Sequence, residues 1–207
     1  MSCLAIIPAR KNSIRLKNKN KKKLKGKPLI EYTINLAKRI KFFKDILVST
    51  DDLDIIKIAK KKKVLAPWVR PRQLSTSKTS SYKVVKHAVE WYEKKYNKID
   101  TIFLLQPTSP FRTRNNILKT FSLFNMNEKR KSIISVSRIK TKIGNKKNII
   151  KLVPNGVTYL ISKKSLLKYK SFINKENVPY LIKDPREALD IDYPHDWIKA
   201  KKMIRKL

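Results

Sequence analysis

The sequence contains one cysteine, Cys3, and only three glycines among 207 residues. A lone thiol excludes an internal disulfide and suits a reducing cytoplasm. The shortage of glycine excludes the common phosphate loops. Gly26-Lys27 is followed by Pro28 rather than Ser or Thr, and the upstream glycine of a Walker loop is missing. A glycine-rich dinucleotide fingerprint is excluded on the same ground. No apolar run approaches the ~20 residues of a membrane helix, so no membrane partner is expected. The apolar start over 4–7 meets Pro8 too early for a secretory signal. Acid is scarce as well: 15 Asp and Glu stand against 51 Lys and Arg, a formal net charge of +36.

A charge of that size attracts nucleic acid or an acidic membrane surface. Its make-up argues otherwise. Lys greatly outnumbers Arg, Asn and Ile are plentiful, and the lysines are spread over nearly every expected surface. A nucleic-acid reader concentrates charge on one face and favours the planar fork of Arg. The lysines therefore read as a solvated coat that follows AT-rich codon usage, with no specific nucleic-acid partner. Hydrophobic content of 41%, with eight Tyr, seven Phe and three Trp, provides for a real core.

Periodicity predicts strands over 3–9, 45–50, 101–106, 132–138 and 158–162. Amphipathic helices are expected over 28–40, 52–62, 80–96, 113–127, 163–169 and 193–206, with Pro28 suited to a first helical turn. Apolar strands alternating with amphipathic helices imply an α/β domain over 1–207: a three-layer, mostly parallel, Rossmann-like sheet. No repeat or linker divides the chain. In such sheets ligands sit beyond the carboxyl ends of the strands. There the sequence places a basic loop over 10–27, "STDD" over 49–52 and "QPTSPFRT" over 106–113.

The basic loop is too long for a simple strand-to-helix connection of roughly 2–6 residues. Its amides, with Arg10, Ser13 and Lys19, are suited to wrapping a polyphosphate, although charge alone describes a basic surface loop equally well. Asp190 and Asp192 make the sharper case. If the chain is extended there, both carboxylates point to one face and Ile191 turns into the core. Two oxygen ligands on one side suit Mg²⁺, which takes one or two carboxylates together with waters and substrate phosphates. Asp196 begins the last helix, where it favours the helix dipole. His87 lies on an ordinary amphipathic helix and is assigned no chemistry.

The stretch "IIPARKNSIRLKNKN" over 6–20 resembles the nucleotide loop of the acylneuraminate cytidylyltransferases, the CMP-sialic acid synthetases. Pro8-Ala9-Arg10, Ser13 and Lys19-Asn20 carry that likeness. Further blocks follow in the family's order: "VSTDD" over 48–52, "RPRQLSTSKTSS" over 70–81, "LLQPTSPFRT" over 104–113, "PNGVTYL" over 154–160 and "LDIDYPHDW" over 189–197. Kdo cytidylyltransferases usually carry Gln-Gly-Asp in place of Gln106-Pro107-Thr108. Isoprenoid cytidylyltransferases open on a glycine-rich loop that is missing here.

The resemblance implies a fold of the nucleotidyltransferase type and a reaction in which CMP passes from CTP to the anomeric hydroxyl of a nine-carbon 2-keto sugar acid, of sialic, legionaminic or pseudaminic type. It gives Arg10 and Lys19 the CTP phosphates, Ser13 and Asn20 the support of the loop, and Arg70 and Ser81 the cytidine nucleotide. It assigns Gln106 to the sugar acid, with Asn155 and Gly156 as a turn lining its pocket and Tyr159 behind them. It makes Asp190 and Asp192 the Mg²⁺ ligands, with Arg10, Lys19 and Asp192 central to catalysis. Two departures stand out. The segment over 139–153, a long dimerisation arm in the family, is compressed, and the usual Arg before Pro-Asn-Gly is Val153. Lys140 and Lys142 are the available replacements for a contact to the sugar carboxylate, and the shortened arm leaves the family's homodimer open rather than expected. The competing class is a basic nucleic-acid-binding protein or an inactive nucleotide-binding paralogue on the same scaffold.

Overall fold

Strand β1 (Cys3–Ala9) shows why the sheet is covered on both faces. Its alternate residues Cys3, Ala5, Ile7 and Ala9 enter one hydrophobic cluster, and Leu4 and Ile6 enter another. That is the period of two of a strand with a core on each side. The computed structural model describes residues 1–126, 132–143 and 146–205. After β1 the chain forms a small hairpin, β2 (Lys23–Leu24) and β3 (Lys27–Pro28), then α1 (Leu29–Ala37), β4 (Phe43–Thr50) and α2 (Leu53–Lys61). Next come α3 (Ser81–Lys95), β5 (Thr101–Leu104), α4 (Arg114–Met126), β6 (Ser132–Ile143) and β7 (Lys146–Ser162). Helix α5 (Lys163–Tyr169), β8 (Asn177–Leu181) and α6 (Pro194–Ile204) complete the chain. The expected ends Asn127 and Lys206 of two helices lie outside the described residues.

The six-stranded sheet has the order β4-β1-β5-β7-β6-β8. Only β7 runs against the rest: β4, β1 and β5 pair in parallel, as do β6 and β8, and β7 pairs antiparallel on both sides. Helices α1, α2 and α4 supply Ile34, Ile55 and Ile117 to one face, and α3 and α5 supply Val85 and Leu166 to the other. The three-layer, mostly parallel architecture is as expected. Helix starts are set by short polar caps, with Asp52, Ser80 and Ser162 each accepting a backbone N–H of the first turn of α2, α3 and α5.

Three local readings need correction. Gly26-Lys27-Pro28 does not open a helix directly: Gly26, at φ +79°, turns the β2–β3 hairpin, and Pro28 is the residue before α1. Asn155 and Gly156 are not a hairpin turn either. They lie within the long strand β7, where the register to β6 shifts between Ile134 and Val136 and Gly156 takes φ +75°. Two steps along β6, from 134 to 136, there span five along β7, from 159 to 154, so β7 bulges, and Asn-Gly supplies the left-handed backbone that a bulge needs as readily as a turn. Finally, β8 was not expected. It is a half-buried edge strand containing Pro179, and both features hide its alternation.

Cys3 is fully buried in β1, and burial pushes its thiol up to about 12, opposed by a hydrogen bond with Thr101. A thiol that is neither ionised nor exposed does not react. Native protein is therefore expected to resist a maleimide at about pH 8 and to react stoichiometrically once unfolded; fast labelling of the folded protein would contradict this packing of β1.

Candidate active site

The carboxyl ends of β1, β4 and β5 converge on the loop that follows β1, and the loop is pinned rather than free. The Asn20 side chain, itself buried, donates from Nδ2 to the Arg10 carbonyl at 3.1 Å and closes the loop on itself. The Lys11 amide donates to Asp51 Oδ1 at 2.8 Å. Lys21 Nζ reaches Asp54 at 2.8 Å and Asp52 at 3.3 Å, so the acids of "STDD" and the start of α2 anchor the loop's far end. This answers its length: three separate ties to β4 and α2 need a span that a short connection cannot provide.

The facing wall is acidic. In the segment carrying Asp190 and Asp192, Ile191 is fully buried between two half-buried aspartates, and the Ile191 amide donates to the Thr108 carbonyl at 2.8 Å. The alternation expected from the sequence is present. Asp192 accepts Arg15 Nη1 and Lys19 Nζ, both at 2.7 Å, and Lys19 also donates to the Ile191 carbonyl at 2.9 Å. Burial opposes ionisation of Asp192, but the Lys19 hydrogen bond and the charges of Lys19, Arg15 and Arg10 outweigh it and hold the carboxyl below its ordinary range. Asp190 is different. Burial pushes its pKa up, a Thr108 hydrogen bond works against that, and Asp192 adds to the rise. Its Oδ1 is buried with no hydrogen-bond partner.

Between these walls lies a cavity of about 390 Å³. Arg10, Ser13, Lys19, Gln106, Asp190 and Asp192 all line it, as does Asn20. Seven of the residues singled out in the sequence therefore meet in one place, although they come from three separate stretches of chain. Among the described residues, no three His, Cys, Asp or Glu side chains group into a ready-made metal cage. Two carboxylates facing a cationic loop instead match the donor set of an ion that completes its shell with water and phosphate.

The sequence profile of the family described as "Cytidylyltransferase" matches residues 4–204. The chain belongs to the cytidylyltransferase family. It is 32% identical to the CMP-N,N'-diacetyllegionaminic acid synthase of Legionella pneumophila, over 99% of this chain and 97% of that protein. It is also 32% identical to the N-acylneuraminate cytidylyltransferase of Escherichia coli, over 99% of this chain but only 54% of the longer relative. A pseudaminic acid cytidylyltransferase of Campylobacter jejuni is 36% identical over 62% of this chain and 55% of its own. Among solved structures, a CMP:2-keto-3-deoxy-manno-octonic acid synthetase complexed with CTP shares the fold at a TM-score of 0.73 and 15% identity, covering 100% of this chain and 99% of that one. A cytidylyltransferase of Leptospira borgpetersenii shares it at 0.71 and 19% identity, covering 100% and 88%.

Other residues of this cytidylyltransferase stand around the cavity. Arg70 is not the exposed side chain that an Arg-Pro loop would suggest. The stretch leading to it runs along β4, with the Arg70 amide on the Thr50 carbonyl at 2.7 Å, and the guanidinium is buried against the Ser49 carbonyl, Ser75 Oγ and Asp51. Ser81 and Tyr159 line a neighbouring pocket of about 180 Å³, which shares Gln106 as a wall with the main cavity. Gly156 sits against that same Gln106. A Cβ there would lie 3.0 Å from Gln106 Oε1 and 3.3 Å from Asp190 Oδ2. Asn155 turns away: its amide oxygen accepts Ser135 Oγ and the Val157 amide, and its Nδ2 donates to Ser137 Oγ, which stitches the bulge. Lys140 is exposed on the β6–β7 arm and does not line the cavity, and the Lys142 side chain lies outside the described residues.

Sequence reading gave no part to Arg112 or Arg15. Arg15 completes the clasp on Asp192 and lies over the Tyr193 ring, 4.8 Å from its centroid. Its position two residues after Ser13 is the only signal the sequence offered. Arg112 lies beneath the cavity floor, 4% exposed, where periodicity expects no cation. Among the described residues, no helix is long and apolar enough to cross a membrane.

Proposed function

We propose that the protein transfers CMP from CTP to the anomeric hydroxyl of a nine-carbon 2-keto sugar acid and releases pyrophosphate. The carrying observation is the cavity itself, where the cations of one pinned loop face Asp190 and Asp192 at the carboxyl edge of the sheet. Arg10 and Lys19 are the residues that would hold the triphosphate, with Ser13 and Asn20 keeping the loop's shape. Arg70 and Ser81 would set the nucleotide, Arg70 through the Asp51 region and Ser81 at the start of α3. Gln106, Gly156 and Tyr159 would receive the sugar acid, and Asn155 would act through the bulge it stitches. The side pocket presents Tyr82, Leu104, Tyr159 and Phe172, walls suited to an apolar substituent of the acid.

The chemistry of the donor set supports Mg²⁺ at Asp190 and Asp192: both residues line the cavity, and Asp190 Oδ1 is a buried carboxylate oxygen with no hydrogen-bond partner among the described residues. When bound, the ion would supply charge neutralisation at phosphate oxygens. The chain's own part is alignment. Arg15 and Lys19 neutralise Asp192 while the cavity is free, and both lie where a triphosphate would claim them. The acid's hydroxyl oxygen forms a bond to the α-phosphorus, the bond from that phosphorus to pyrophosphate breaks, and the hydroxyl proton leaves to solvent or to the departing pyrophosphate. Such displacement depends on positioning and electrostatics, with no protein nucleophile. We place the reaction in the cytoplasm, with no specific nucleic acid. Exposed Ile150 and Leu152, two apart on β7 and so on one face of the β6–β7 arm, support a homodimer.

Calorimetry with all four nucleoside triphosphates tests the nucleotide half of this reading. CTP is expected to bind at least about tenfold more tightly than ATP or GTP, a difference of roughly 1.4 kcal/mol. Equal affinities would sink the assignment.

A further inference from the structure

The buried cation under the floor of the cavity has no part in the chemistry above, yet it bonds to backbone on both segments that carry the acceptor side. Arg112 Nη2 donates to the Gln106 carbonyl at 2.8 Å, and Nη1 reaches Thr33 Oγ1 at 3.3 Å. Its Nε donates to the Val157 carbonyl, the residue just after the Gly156 bulge. Thr33, buried in α1, shares the Gln106 carbonyl at 3.5 Å. Among the described residues no carboxylate lies within salt-bridge distance of Arg112, and Asp190 is the acid whose charge favours its protonated form. Burial drives the guanidinium down to about 9, so the fold keeps this charge at a cost.

A buried guanidinium without an ion-pair partner is rare unless its several donors are all used. Here three of them tie together the end of β5, the bulge of β7 and helix α1, reinforcing a junction that β5–β7 pairing and the Thr33–Gln106 hydrogen bond already bring together. Gly156 leaves room there for the Gln106 and Asp190 side chains: a Cβ in its place would lie 3.0 Å from Gln106 Oε1 and 3.3 Å from Asp190 Oδ2. A shift in either carbonyl would move the Gln106 amide relative to Asp190.

We propose that Arg112 is a positioning residue for the acceptor half of the site. By clamping the Gln106 and Val157 carbonyls it sets where the Gln106 side chain stands, and so governs the sugar acid without touching it. The nucleotide half, held by the β1 loop and the β4 edge, does not depend on Arg112. This inference rests on the proposed transferase reading.

The two halves can be separated experimentally. Arg112→Lys keeps the charge but cannot bridge two carbonyls in a planar fork. Arg112→Ala leaves a guanidinium-sized space. Both variants and wild type are compared for CTP affinity by calorimetry, for KM of CTP and of the sugar acid, and for recovery on adding guanidinium at millimolar concentration. The expected result is a loss of about 10–10² in kcat/KM for the sugar acid, the scale of a misplaced reacting group. CTP affinity should stay within about threefold of wild type, a shift of roughly 0.65 kcal/mol or less, and guanidinium should partly restore the Ala variant. A merely structural residue would instead lower both substrates' parameters in parallel with the folded fraction, without rescue, and that pattern would overturn the proposal. So would an Arg112→Lys enzyme with wild-type KM for the acid. An inert wild type, by contrast, would refute the transferase reading and this inference with it.

Discussion

Asp192→Asn is expected to lower turnover by about 10²–10³, the usual loss when one electrostatic stabiliser of a transition state is removed. The substitution keeps the size and shape of the side chain and removes one charge from the proposed Mg²⁺ pair. It also frees Arg15 and Lys19, which both hold this carboxylate at 2.7 Å. Those cations then face the triphosphate with no competitor. CTP affinity should accordingly hold or rise while kcat falls, and that split distinguishes the account from general damage to the site. Folding should survive. The Asp192 side chain is 40% exposed and its pairing with Arg15 lies at the surface, where such a pair contributes about 0–1 kcal/mol. Asp190→Asn should reduce turnover alike, because the amide retains an acceptor for Thr108 but not the charge. The double variant should cost much less than the product of the two, since both act through one ion. Near-wild-type kcat in Asp192→Asn at saturating CTP and Mg²⁺ would remove this pair from the mechanism.

Gly156→Ala should be nearly as damaging, and for a different reason. The added Cβ would stand 3.0 Å from Gln106 Oε1 and 3.3 Å from Asp190 Oδ2, at a backbone φ of +75°. The left-handed backbone alone costs an L-residue about 1–2 kcal/mol, or a drop in Tm of roughly 2–4 °C per kcal/mol for a chain of this size. Displacing Gln106 and Asp190 should lower kcat/KM for the acid by about 10², as for other small misplacements of reacting groups. Gly26→Ala provides the control. Gly26 has φ +79° but nothing within 4 Å of an added Cβ, and it turns a hairpin away from the cavity. It should show the same loss of Tm with unchanged turnover. Equal activity losses in the two variants would mean that Gly156 matters only for its backbone.

The two glycines also mark what the sequence could and could not reveal. Alternation made β1 legible because both of its faces meet apolar helices, so every residue carries signal. The clustering of Asp190, Asp192, Lys19 and Gln106 was legible from the order of the blocks, and the inward turn of Ile191 from its apolar character alone. The reversal of β7 was not. Asn155-Gly156 gives the same local cue for a bulge as for a turn, and only pairing with β6 and β5 decides between them. The burial of Arg70 and Arg112 was not legible, for a common reason. Sequence patterns place a cation at the surface, whereas both guanidiniums are buried by carbonyls that belong to distant segments. Such partners have no signature in the local sequence.

The central claim is the transfer of CMP to a nine-carbon keto acid. Its most direct test is incubation of the wild-type protein with CTP, Mg²⁺ and a panel of sialic, legionaminic and pseudaminic acids, with an eight-carbon keto acid as comparator. Pyrophosphate and the CMP-sugar are measured together. The account predicts stoichiometric release of both with at least one nine-carbon acid and little with the eight-carbon one. No CMP-sugar from any nine-carbon acid, by a protein that is folded and binds CTP, would contradict it.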